Sequence, residues 1–157
     1  MYQNDFTFGR MLLAYRRPFK FTGRSTRTEL IGYLIISWLL SAIASRALFI
    51  WLQSSEAADV YFPLTAAILL IPMPALAVRR AHDIGRPWYW ALLLIVSLII
   101  YYVLGQPFLA QSPLLLQGVG ILNVLGLVIL FWRPDEETNE YGPNPRFEDD
   151  TAYYEAG

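Results

Sequence analysis

Arg79, Arg80, His82, Asp83 and Arg86 crowd into the stretch VRRAHDIGRPWYW, residues 78–90, and His82 is the only histidine in the chain. An imidazole beside a carboxylate is the raw material of general acid–base chemistry. Arginine forks match the oxygens of phosphates and carboxylates. Consecutive residues on a helix, however, point about 100° apart. No serine, cysteine or metal-binding set accompanies the pair nearby. An active site needs a full set of roles, nucleophile or base together with an orienting group and an electrophile. The bland alternative, a hydrogen-bonded structural cluster, is the reading these residues favour.

The surroundings of this polar stretch are oily. Of 157 residues, 55% are hydrophobic and 16% are charged, against about a quarter charged in an ordinary soluble domain, and the mean hydropathy is +0.37. There is no cysteine, which excludes disulfides, thiolate metal sites and a cysteine nucleophile. One histidine is too few for an all-protein zinc site, which draws on several His or Cys ligands. The sequence therefore predicts neither a metal nor a cofactor. The net charge of −1 hides an asymmetry. Arg10, Arg16, Arg17, Lys20, Arg24 and Arg27 precede the first apolar run, and acids dominate after residue 134.

Four apolar runs must position the polar residues: 30–52, 61–78, 88–104 and 114–132. A bilayer core about 30 Å thick takes about 20 apolar residues per helix. Helices apolar on every side belong in lipid or deep inside a much larger protein. The predicted fold is all-α: an integral membrane four-helix bundle with an N-terminal amphipathic interfacial helix and a cytoplasmic loop and tail. Its parts are a basic segment at 1–29, the four-span domain at 30–133 and an acidic tail at 134–157. The connections 53–60 and 105–113 carry no basic residue. The positive-inside rule then places both termini and the 79–87 loop in the cytoplasm.

Smaller features admit two readings each. Phe8, Met11, Leu12, Tyr15 and Phe19 recur at helical spacing among basic residues, as in a helix lying on anionic headgroups; the alternative is a basic tail that only sets topology. Arg46 falls about 24 Å along the first run, near the outer interface, where it can snorkel to water. Ser37, Ser41 and Ser45, with Gly120, Asn123 and Gly126, form small-residue strips that suit close helix packing or, alternatively, a polar path. Pro72 and Pro74 bend the second run. The end FEDDTAYYEAG reads as disordered.

Three polar blocks, FTGRSTRTEL at 21–30, RRAHDIGRPWYW at 79–90 and NEYGPNP at 139–145, together resemble the DUF805 family of small bacterial inner-membrane proteins. The resemblance implies a multi-span inner-membrane protein and supplies no activity. The predicted topology puts all three blocks on one side, where they are expected to converge. Arg24, Arg27, Arg79, Arg80 and Arg86 would be the cations, with Glu29, His82, Asp83, Asn139 and Tyr141 as their polar partners. Local acids are fewer than arginines, so an anionic phospholipid headgroup is the expected guest, and a ligand-free latch fits equally. Three functions follow: a non-catalytic scaffold, accessory subunit or lipid-binding module; a small transporter or channel acting as a homo-oligomer; or an enzyme on lipid or phosphate-ester substrates. The first ranks highest, with membrane lipids and a membrane-protein partner or second copy as its partners. Nucleic acid is not expected, because topology already accounts for the basic residues.

Overall fold

The computed structural model describes residues 8–52 and 57–146, and among these the regular secondary structure is helical, with one isolated bridge between Asn139 and Gly142. The elements are α1 (Phe8–Met11), α2 (Leu13–Arg16), α3 (Arg27–Leu52), α4 (Ala57–Leu70), α5 (Met73–Asp83), a 3-10 turn at Trp88–Ala91, α6 (Leu92–Ala110) and α7 (Pro113–Leu130). Residues 53–56, expected to form part of an outer loop, and the acidic end from residue 147, expected to be disordered, lie outside the described residues. By length and composition, Arg27–Trp51 and Pro63–Asp83 are each long and apolar enough to cross a membrane, while Trp88–Tyr102 and Pro113–Val128 are shorter apolar helices.

Helix ends follow local chemistry. Thr26 caps α3, its Oγ1 accepting the Glu29 amide at 3.2 Å, which satisfies one of the orphan donors of the first turn. The prolines of the second run do more than bend it. Ile71 and Pro72 end α4, and α5 restarts at Met73 with Pro72 as its N-cap, because Pro72 and Pro74 have no amide hydrogen to give. At the other end of α5, Gly85 takes a left-handed φ of +68°. Its amide reaches the His82 carbonyl at 3.1 Å, and the Arg86 amide reaches the Ala81 carbonyl at 2.9 Å. This is a Schellman stop.

Two expectations change here. The sequence places Arg79, Arg80, His82 and Asp83 in a loop, yet all four belong to the last turns of α5 and are buried. The helix outlasts the apolar run because its polar end finds partners inside the protein instead of water. The connection expected at 105–113 shrinks to Gln111 and Ser112, since α6 runs on to Ala110. Pairing along α7 outweighs the turn propensity of Gly105 and Pro107, as tertiary context commonly does.

The N-terminal segment also differs from the interfacial helix expected. It breaks at Leu12, and it buries Arg10, Leu13 and Ala14 while leaving Phe8 and Phe19 exposed. It docks against α3 at Gly32, where a Cβ would fall 2.4 Å from the Met11 Cα. Helical phase can mark an apolar stripe; a missing side chain on another helix is what decides which face gets covered.

The buried core gathers where α3 and α6 begin and α5 and α7 end: Leu30, Tyr33, Leu76, Ala77, Leu94 and Leu130 lie there with Ala14. The Tyr33 hydroxyl donates to the Leu69 carbonyl at 2.7 Å, and Tyr15 shares a hydrogen bond with Ser37. Along α7, Gly126 meets α6 at Leu94: a methyl group on the glycine would fall only 2.7 Å from the Leu94 Cβ, whereas Gly120 faces open space. Gly126→Leu should therefore force α6 and α7 apart at a cost of about 1–3 kcal/mol, lowering the unfolding temperature in mild detergent. Gly120→Leu should leave it nearly unchanged; equal effects would deny that the glycine marks a close approach.

Candidate functional site

Asp83 closes α5 with its side chain completely buried. A carboxylate offers about four lone-pair sites, and arginines fill them. Oδ1 accepts Arg24 Nε at 3.1 Å and Arg146 Nη1 at 3.2 Å. Oδ2 accepts Arg146 Nη2 at 2.8 Å and also Arg80 Nη1. Three arginines from three distant segments thus converge on one acid: the chain ahead of α3, α5 itself and the segment after α7. Beside it a second buried pair joins Arg79 to Glu29.

Within this cluster, among the described residues, four buried arginines outnumber two buried carboxylates. Main-chain carbonyls take up many of the other donors. Arg80 Nη2 donates to the Trp132 carbonyl at 2.7 Å and Arg80 Nε to that of Leu130. Arg79 Nη1 reaches the carbonyls of Arg17 at 3.1 Å and Lys20 at 2.6 Å. Arg24 Nη1 donates to Glu137 at 2.6 Å, and Nη2 to Asp135. Several of these acceptors lie at or just past the C-terminal ends of α2 and α7, where unpaired carbonyls and the helix dipole favour cations.

His82 takes no part in the Asp83 network. Its Nδ1 lies 3.1 Å from the Gly23 carbonyl; a carbonyl only accepts, so Nδ1 carries the proton. The ring stacks on Tyr141, with centroids 4.0 Å apart and planes 1° from parallel. A hydrogen bond to the neighbouring Glu140 carboxylate raises the Tyr141 phenol above its usual pKa, so the stacked ring stays neutral.

The segment 135–146 folds back over these helix ends as a strap. Asn139 and Gly142 pair through both amides at 3.2 and 3.0 Å, a tight turn that uses the φ of +130° at Gly142. Asn139 Nδ2 donates to the His82 carbonyl at 3.0 Å, and the Asp135 amide to the Asp83 carbonyl at 2.8 Å. Asn144 Oδ1 accepts both the amide and Nη1 of Arg146, at 3.1 and 3.2 Å. Beside the strap opens a cavity of about 170 Å³ bordered by Arg17, Lys20, Arg79, Glu29 and Tyr141.

Of the residues singled out from the sequence, Arg24, Arg79, Arg80, Glu29, His82, Asp83, Asn139 and Tyr141 do meet at one end of the molecule. Arg27 and Arg86 sit at its exposed edge: Arg27 donates to the Trp132 carbonyl at 3.2 Å, and Arg86 lies over the Trp90 ring, 5.2 Å from its centroid. Sequence reasoning missed Arg146 and Asn144 as members. Asn144 lies inside the NEYGPNP block without having been singled out, and the only sequence signal for Arg146 was its place directly after that block, ahead of the acidic end.

A family model described as a protein of unknown function (DUF805) matches residues 18–143. That span covers all of this cluster except Asn144 and Arg146. No curated protein and no solved structure matches the chain.

Proposed function

The chain belongs to DUF805, a family of unknown function, and from that premise we propose that it is a non-catalytic, multi-pass protein of the bacterial inner membrane. It crosses the bilayer four times, both termini and the α5–α6 turn face the cytoplasm, and it serves as a scaffold or accessory subunit to another membrane protein or to a second copy. The buried arginine network acts as a latch that locks the cytoplasmic ends of the helices together.

The observation that carries this reading is the sorting of side chains along the molecule. At one end, charged side chains are buried and bonded. Elsewhere, large apolar side chains point outward: Trp38, Ile43, Phe49, Ile50 and Trp51 on α3, with Leu114, Ile121 and Val124 on α7. Soluble monomers rarely expose contiguous apolar patches of that extent; hydrocarbon would cover them. Arg46 is exposed on α3, free to snorkel. Since arginines fill the acceptor sites of Asp83 and none of them is turned to His82, the arrangement supports a latch over an acid–base pair. Asn123 bonds back to its own helix, Nδ2 to the Val119 carbonyl at 2.9 Å, as Ser45 does to that of Ala42 at 2.9 Å. Such self-satisfied groups support packing over a polar permeation path.

The absence of cysteine makes the test direct. Single cysteines at Thr22, Glu140 and Ser112 are introduced in separate variants, and vesicles of known orientation are treated with an impermeant maleimide. Thr22→Cys and Glu140→Cys should label only from the cytoplasmic side, and Ser112→Cys only from the opposite side. Labelling of all three from one side would overturn the four-span topology.

A further inference from the structure

Between the start of α6 and the end of α7 lies a groove of about 520 Å³, lined by Ile84, Arg86, Trp90, Trp132, Arg133, Pro134 and Asp135. We propose that it binds the headgroup of a zwitterionic phospholipid, a phosphodiester carrying an ammonium group, one molecule per chain. This rests on the membrane reading above and deepens it by naming a lipid and its site.

The groove is held in shape by the latch. The Asp135 amide is tied to the Asp83 carbonyl and the Asp135 carbonyl to Arg24, while the Gly85 stop aims Arg86 outward. A Cβ at Gly85 would sit 3.5 Å from Asp135 Oδ2, so the turn and the carboxylate face one another closely. Arg86 has no carboxylate partner among the described residues; it is held by the Trp90 ring, 5.2 Å from the centroid. That leaves its fork available to an incoming anion, and arginine suits phosphate oxygens. Arg133, the second cation, pairs with Glu136 on the exposed surface, a contact that water and salt keep weak.

Asp135 decides the class of lipid. A purely anionic headgroup in this groove would meet its carboxylate. Among the described residues its side-chain oxygens accept only long bonds, from the Glu137 amide at 3.4 Å and from Asn139 Nδ2 at 3.3 Å, so acceptor capacity remains for an ammonium. The Trp132 ring, 65% exposed, offers an aromatic face to the same cation. Position fits as well. Trp88, Tyr89 and Trp132 are all exposed where the apolar surfaces of α6 and α7 meet the polar end, the depth at which tryptophan and tyrosine ring a membrane protein. Acyl chains can continue along the exposed Leu92, Leu93 and Val128.

The test is native mass spectrometry of the full chain in mild detergent, titrated with phosphatidylethanolamine or phosphatidylglycerol of equal chain length. One phosphatidylethanolamine should bind about fivefold more tightly than phosphatidylglycerol, the contribution of a single charge at headgroup level. Asp135→Asn should erase that preference. Arg86→Gln should weaken both lipids about fivefold. Equal affinities in the unmodified chain, or a preference that survives Asp135→Asn, would overturn the proposal. Circular dichroism of each variant should match the unmodified chain. The cysteine-labelling pattern separates the two failures: if topology holds while the lipid preference is missing, only this inference falls.

Discussion

Asp83→Ala should abolish a stably folded chain. The substitution leaves Arg24, Arg80 and Arg146 buried without the carboxylate that all three bind. Breaking a buried pair in this way costs about 3–5 kcal/mol, a large share of the roughly 5–15 kcal/mol that most domains possess. In mild detergent the variant should aggregate on size-exclusion chromatography or unfold well below the unmodified chain. Arg146→Gln is a demanding comparison. Arg24 and Arg80 still hold the carboxylate, the cluster loses one of its excess cations, and the expected cost is about 1 kcal/mol, that of an ordinary hydrogen-bonding partner. If Arg146→Gln proved as damaging as Asp83→Ala, the organising element would be the strap itself and the carboxylate would be incidental.

Gly32→Leu should detach the N-terminal segment. Even a methyl group at Gly32 would collide with the Met11 Cα, Cβ and carbonyl oxygen, at 2.4, 2.4 and 2.7 Å. Two of those are backbone atoms, which cannot swing away as a flexible side chain does. A leucine must push α1 and α2 off α3, exposing Leu13 and Ala14 and opening the site of Arg10, all of which are buried in the folded chain. The cost is that of overpacking, about 1–3 kcal/mol or more where backbone blocks relief. Limited proteolysis should then cut near Arg16 and Arg17 far faster than in the unmodified chain, while the α6–α7 hairpin stays protected. Unchanged cleavage would mean that the segment does not dock at Gly32. The Asp83 latch would survive this change, since none of its arginines comes from α1 or α2, so the two variants probe separate parts of the same end.

Much of this is legible in the residues. The apolar runs announce the helices, because hydropathy is a local property that each stretch carries with it. The three polar blocks announce a cluster and name eight of its members. The extent of α5 is not legible in this way. Polarity after Val78 signals water and the end of a helix, yet Arg79, Arg80 and Asp83 are buried, each supplied with partners by other segments.

Those partners are beyond any local pattern. Arg24 and Asp83 stand 59 positions apart, and Arg146 and Asp83 stand 63 apart. Nothing near Asp83 indicates which arginines will reach it. The choice is made when α5 and α7 end at the same level, presenting their carbonyls together, and the strap crosses both. The pattern of residue types determined that the chain would be helical and apolar, with nearly all of its charge outside the four apolar runs. Only the meeting of helix ends in space decided which charge neutralises which, because ion pairing depends on separation in ångströms and the sequence records separation along the chain.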